Sequence, residues 1–147
     1  MISDKTLRNI SETFNGDIGD CYVYKTGPQL VSFFNEYFGF SEIYGQGFPS
    51  RWYYTFNKLT ELIKDGKFNN FLSVILSKRY LMIEKQISEV EAVELSNRIL
   101  DTFNNYLNPE GLVIVKKGNK FELVSEDDDL EYVGEGGFAI VYKRKSN

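Results

Sequence analysis

The stretch Ile99–Val124, ILDTFNNYLNPEGLVIVKKGNKFELV, changes its period halfway along. Leu100, Phe103 and Leu107 recur three or four residues apart, which is one face of a helix. Asn108-Pro109-Glu110-Gly111 stops that helix, because proline lacks the amide a helix needs and glycine accepts the turn that follows. From Leu112 onward, β-rich arms flank Lys117-Gly118-Asn119, so the spacing predicts a hairpin over 112–124. A chain that closes a helical run with one hairpin is mainly α, and everything before this stretch must supply the helices.

Working back toward the N-terminus, four more helices are expected. Ser88, with Glu91 three residues on, forms a capping box and starts the helix that ends at Leu107, with Val90, Val93, Leu100, Phe103 and Leu107 as its buried face. A single helix is predicted over 67–85, carried by Phe68, Phe71, Leu72, Ile75, Met82 and Ile83. Ser50 caps another that runs to Lys64, where Trp52, Phe56, Leu59 and Ile63 recur at helical spacing and Asp65-Gly66 ends it. Residues 40–52 hold two glycines and a proline and read as a loop. Pro28 suits a first helical turn, followed by the stripe Leu30, Val31, Phe34, Tyr37 and Phe38. Leu7, Ile10 and Phe14 mark the first helix over 3–15, with Ser3 or Asp4 as its cap, and Cys21–Tyr24 reads as extended. The expected class is mainly α (α+β), a five-helix domain over 1–124 ending in a β-hairpin. An acidic linker follows at 125–131, with three consecutive aspartates, and then a second, glycine-rich β-hairpin within 130–147.

Composition narrows the chemistry. The chain has 147 residues, 42% of them apolar and 26% charged, which suits one folded domain with a real core. Its net charge of −4 argues against a protein whose main task is gripping nucleic acid. There is no histidine, which removes Ser-His-Asp and Cys-His nucleophile systems and histidine-ligated metal sites. Cys21 is the only cysteine; it forms no intramolecular disulfide and reads as a buried hydrophobe rather than a reactive thiol. No apolar run approaches a membrane span and the polar N-terminus lacks a signal peptide's core, so the expected compartment is the cytoplasm, with no membrane partner.

The second hairpin carries the strongest motif. Val133–Lys143 reads VGEGGFAIVYK: a strand, a Gly-x-Gly turn, an aromatic, a small residue, then a returning strand. Glycines at such a tip leave backbone N–H groups open to a phosphate. The strand after the glycines disfavours a dinucleotide-binding fold, which needs a helix there. A hairpin with a glycine turn and no ligand is the plain alternative.

This order resembles the first two strands of a bacterial Ser/Thr protein kinase, with Ala139 at the place of the third glycine. The resemblance covers 130–145. It implies that Gly134, Gly136, Gly137 and Phe138 cover the ATP phosphates, and that Val133 and Val141 pack on adenine. It also implies ATP and Mg²⁺ as cofactors of the parent kinase, with none expected for this chain alone. Neither His-Arg-Asp nor Asp-Phe-Gly occurs in the 147 residues, and Lys143 lies too close to the loop to be the phosphate-pairing lysine. The expectation is therefore a longer parent cut just inside its kinase domain, with a vestigial tail as the alternative.

The order of parts across 2–124 resembles, more loosely, the N-terminal modules of bacterial abortive-infection (AbiJ-like) defence proteins. These are helices ending in a small hairpin that precede varied effector domains, and the resemblance implies a sensing or recruiting role. Residues 51–87 hold seven Lys or Arg against three Asp or Glu, so Arg51, Tyr53, Lys78 and Arg79 are the candidate partner surface. In Ser-Arg-Trp-Tyr-Tyr (50–54), arginine beside aromatics suits base stacking, while Trp52 and Phe56 also suit a core stripe. The functional expectation is a regulatory or interaction segment of a kinase-like protein, partnered by another protein or by the downstream kinase domain. The alternative is a stand-alone protein- or nucleic-acid-binding module, related to phage defence.

Overall fold

The computed structural model describes residues 2–126, together with the backbone of 130–136 and 139–144. Six α-helices precede the hairpins among these residues: α1 (Asp4–Asn15), α2 (Gly27–Phe38), α3 (Arg51–Lys64), α4 (Phe68–Ile75), α5 (Lys78–Lys85) and α6 (Glu89–Leu107). No helix among the described residues is long and apolar enough to cross a membrane. The helix starts follow local chemistry. Ser3 accepts from the Thr6 amide, Thr26 and Gln29 form a capping box ahead of Pro28, and Ser88 forms one with Glu91. Ser50 stands at the start of α3 without a side-chain capping bond.

Where one helix was expected over 67–85 there are two. The Ser77 hydroxyl donates to the Val74 carbonyl at 2.7 Å and accepts from the Tyr80 amide at 3.1 Å, so it closes α4 and opens α5. A break this short hardly disturbs apolar spacing, which is why the period reads straight through it. No strand forms at 21–24 either. That segment folds back so that the Lys25 amide donates to the Asn15 carbonyl at 2.9 Å. The close return explains Gly16, which sits at φ +84°; a Cβ there would lie 2.5 Å from the Tyr24 Cα.

The core is aromatic at its centre. Phe14, Phe34 and Phe71 are fully buried, with Phe34 stacked on Phe71 at 6.2 Å and Phe14 edge-on to Phe71 at 5.4 Å. Several expected faces are rotated. On α6 the buried seam is Ala92, Leu95, Ile99, Leu100, Phe103 and Leu107, while Val90 (69% exposed) and Val93 face outward. Small Ala92 permits close packing, a property that counting large apolar residues overlooks. On α3 the buried set is Tyr54, Thr55, Lys58, Leu59 and Leu62, so Trp52, Phe56 and Ile63 are only half-buried. Thr55 and Lys58 go inside because partners await them: Thr55 donates to Asn15 Oδ1 at 2.7 Å, and Lys58 meets Glu42 at 2.5 Å. Tyr37 and Ile83 are exposed as well.

The chain leaves α6 through a single 3-10 turn, Asn108–Glu110, and Gly111 at φ +72° lets it reverse. β1 (Leu112–Lys117) and β2 (Lys120–Ser125) pair antiparallel, Leu112 opposite Ser125 and Lys117 opposite Lys120. Side chains that mimic a strand edge fix this hairpin to the helices. Asn104 of α6 accepts from the Ile114 amide at 2.7 Å and donates to its carbonyl at 3.1 Å. Ser73 of α4 does the same for Phe121, at 2.9 Å and 3.3 Å. The described part is thus mainly helical and ends its core on a β-hairpin.

A second antiparallel pair, β3 (Leu130–Gly136) and β4 (Ala139–Arg144), follows. Its register slips between Tyr132 and Gly134, so that Gly134 opposes Val141 and Gly136 opposes Ala139. β4 runs beside β1 and α6.

Candidate functional site

The residues expected to face a partner separate into two groups. Arg51 serves the fold. Its Nε donates to the Lys25 carbonyl at 2.7 Å, one terminal nitrogen meets Asp17 at 2.9 Å, and the other donates to the Asn15 carbonyl at 3.1 Å. The guanidinium also covers the Tyr24 ring at 4.0 Å. It is a bracket on the α1–α2 connection. Around it, Tyr54 is buried and donates to Glu42 at 2.6 Å, and Trp52 lies under the Arg8 guanidinium at 3.8 Å. Of residues 51–54, Tyr53 alone is exposed. Neither Arg51 nor Tyr53 lines the cleft that Lys78 and Arg79 share.

Lys78 and Arg79 open α5 and line a cleft of about 370 Å³. Asn97 of α6, with Lys116 and Asn119 of the first hairpin, complete its polar lining, and Leu76 and Phe121 form an apolar floor. The hydroxyls of Ser77 and Ser96 also reach it, but both donate to carbonyls beneath, Ser96 to that of Leu76 at 2.6 Å. No carboxylate of the described residues lines the cleft. Lys78 is paired at the rim with Glu89 at 2.5 Å, both side chains being exposed; that contact holds the Glu89 carboxyl below its usual range. Arg79 and Lys116 have no carboxylate partner among the described residues, and the Lys116 ammonium stands 5.9 Å from the Phe121 ring. The excess of Lys and Arg over 51–87 marked the first two cations. That Lys116 and Asn119 would swing in beside them depends on how the hairpin docks, which no local signal carries.

A second cleft, about 590 Å³, lies among the 23–25 segment, α2 and α5. Phe33, Tyr37 and Tyr80 form its aromatic wall, with centroid separations of 4.9 Å, 5.7 Å and 6.0 Å. At its floor Lys25 is ion-paired with Glu84, each side chain only 8% exposed. All three ammonium hydrogens are used, on Glu84, on the Phe14 carbonyl at 2.9 Å and on that of Val23 at 3.3 Å. Burial pushes the Lys25 pKa down and the Glu84 pKa up, each opposed by the attraction between them. Glu84 Oε2 is buried without a hydrogen-bond partner among the described residues. Burial likewise raises the Tyr80 hydroxyl, with the Glu84 charge adding to it. The pair braces α5 against the start of α2. Both side chains reach the cleft's lining but are almost wholly buried, and the ammonium's hydrogens are all taken.

Cys21 is buried, its Sγ 4.0 Å from Thr102 Oγ1, and burial pushes its thiol pKa up, away from nucleophilic use. Among the described residues no three His, Cys, Asp or Glu side chains gather to hold a metal ion. Of the expected nucleotide-binding positions, Gly137 and Phe138 lie outside the described residues. Val133 falls at the register slip, and Gly134, Gly136 and Val141 lie on the paired backbones of β3 and β4. Aspartates 127–129 also lie outside the described residues. Neither a family model, nor a curated protein, nor a solved structure matches the chain.

Proposed function

We propose that residues 1–124 act as a regulatory or interaction module in the cytoplasm, joined through the acidic linker to a bacterial Ser/Thr protein-kinase-like domain whose first hairpin is β3–β4. The observation that carries this reading is the residue order Val133-Gly134-Glu135-Gly136-Gly137-Phe138-Ala139-Ile140-Val141. The antiparallel pairing of β3 with β4 supports it, since a phosphate-covering glycine loop sits at the tip of such a pair. In this role the hairpin contributes backbone N–H groups for the ATP phosphates and two valines for the adenine. The lysine that pairs with phosphate, the catalytic base and the Mg²⁺ ligands are not among these 147 residues, so this chain alone transfers no phosphoryl group.

The test is nucleotide binding. The 147-residue protein is expected to show no Mg·ATP response that depends on the glycine loop: any thermal shift should be unchanged when Gly134 and Gly136 are both changed to valine. The product of the whole reading frame is expected to bind Mg·ATP and to lose binding when Gly134 and Gly136 are both changed to valine. A reading frame without a lysine-bearing strand, an Asp-x-x-x-x-Asn loop and Asp-Phe-Gly downstream sinks the proposal. The alternative is a stand-alone protein- or nucleic-acid-binding module related to phage defence, with a vestigial tail; the basic cleft favours a stand-alone binding role without pointing to nucleic acid.

A further inference from the structure

We infer that the cleft between α5, α6 and the first hairpin is a binding site for a phosphomonoester. The cleft's chemistry is independent of the kinase-like tail. Three cations line one cleft of about 370 Å³ with no carboxylate in its lining among the described residues, in a chain whose net charge is −4. Like charges gathered from two separate elements, α5 and β1, repel one another, so their sharing of one cleft points to an anion that belongs among them. Two of the three, Arg79 and Lys116, have no carboxylate partner among the described residues, and Lys78 has only an exposed one outside the lining. The carboxamides of Asn97 and Asn119 also make no hydrogen bond within the described residues, which adds neutral donors beside the cations. Guanidinium, ammonium and carboxamide N–H groups together match the three oxygens of a phosphoryl group.

Two features select a discrete phosphate over a nucleic-acid backbone. The lining holds no exposed aromatic ring on which a base would stack, Phe121 being buried in the floor. The three cations also share one cleft of about 370 Å³, which has room for one phosphoryl group and its carrier. The apolar floor of Leu76 and Phe121, with exposed Val93 at the side, suits the carbon part of a phosphorylated side chain or small molecule.

The experiment is titration of the 147-residue protein by calorimetry and by side-chain amide NMR. The probes are a short phosphoserine peptide, its unphosphorylated form, AMP, inorganic phosphate, and a single-stranded oligonucleotide without terminal phosphate. The phosphomonoesters are expected to bind, to shift the Asn97 and Asn119 side-chain amides, and to bind more tightly between about pH 5 and pH 7 as the phosphate gains its second charge. Comparing the peptide with AMP identifies the source. Arg79→Gln and Lys116→Gln are each expected to raise Kd about tenfold, and the pair about a hundredfold. Glu89→Gln frees Lys78 and is expected to tighten binding a few-fold. All three positions are exposed, and the NMR readout on the unmodified protein needs no variant. No binding, binding without movement of the two amides, or binding indifferent to pH and to these substitutions overturns the site. Oligonucleotide binding as tight as the phosphopeptide's makes the cleft a nucleic-acid surface and overturns it too.

Discussion

The two clefts flank the same short helix, α5, and treat charge in opposite ways. On one side Lys25 and Glu84 are sealed under aromatic rings, and every hydrogen on the ammonium has an acceptor. On the other side Arg79 and Lys116 stand at the surface without a carboxylate among the described residues. Asparagines repeat the contrast on α6. The Asn104 side chain is buried and makes two bonds to the Ile114 backbone, whereas that of Asn97, seven residues earlier on the same face, makes none among the described residues. A polar side chain answered by its own protein holds the fold; one left unanswered in a cleft is free for a ligand. Residue type alone does not distinguish the two.

Breaking the sealed side should have the largest effect. Lys25→Met strands the Glu84 carboxylate in a dry site and is expected to lower stability by about 3–5 kcal/mol in urea unfolding. Adding Glu84→Leu should recover much of that loss, because the stranded charge goes with it. Recovery of nothing would mean that the ammonium's bonds to the Phe14 and Val23 carbonyls matter more than the ion pair.

Asn104→Ala comes next, at about 2–4 kcal/mol, since a buried amide and a buried carbonyl both lose their partner. Asn97→Ala should change stability by less than about 0.5 kcal/mol. Equal effects in the two would dissolve the comparison.

A smaller effect is confined to acid. Glu110 accepts from the Ser3 hydroxyl at 2.6 Å, from the Thr6 hydroxyl and from the Ser3 amide at 2.8 Å, and these bonds hold its carboxyl below the ordinary value of 4.5. A lowered folded pKa means stability that is present above 4.5 and lost as the pH falls through the folded value. Glu110→Gln should therefore flatten the acid limb of the stability curve and leave its shape at neutral pH unchanged. The smallest effect belongs to the open cleft: Arg79→Gln and Lys116→Gln should each move stability by less than about 0.5 kcal/mol. A large loss there would show that the cations are structural after all.

Much of the fold was legible wherever a local rule governed it. Ser3, the capping box of Ser88 with Glu91, Pro28, and the hairpin around Gly118 all act within a few residues of themselves. What escaped was set by tertiary partners. Thr55 and Lys58 are inside because Asn15 and Glu42 meet them, and Val90 and Val93 are outside because α6 turns Ala92 inward. Half of the candidate surface was visible as Lys78 and Arg79. Arg51 looked like a free cation because its acceptors, at Asn15, Asp17 and Lys25, lie far away in sequence.

The central claim is that the helical module governs a kinase-like domain. Its most direct test measures Mg·ATP-dependent phosphorylation by the whole gene product, with residues 1–124 present and with them removed. The account predicts phosphorylation in both, at rates that differ several-fold. No phosphorylation in either, or the same rate in both, would contradict it.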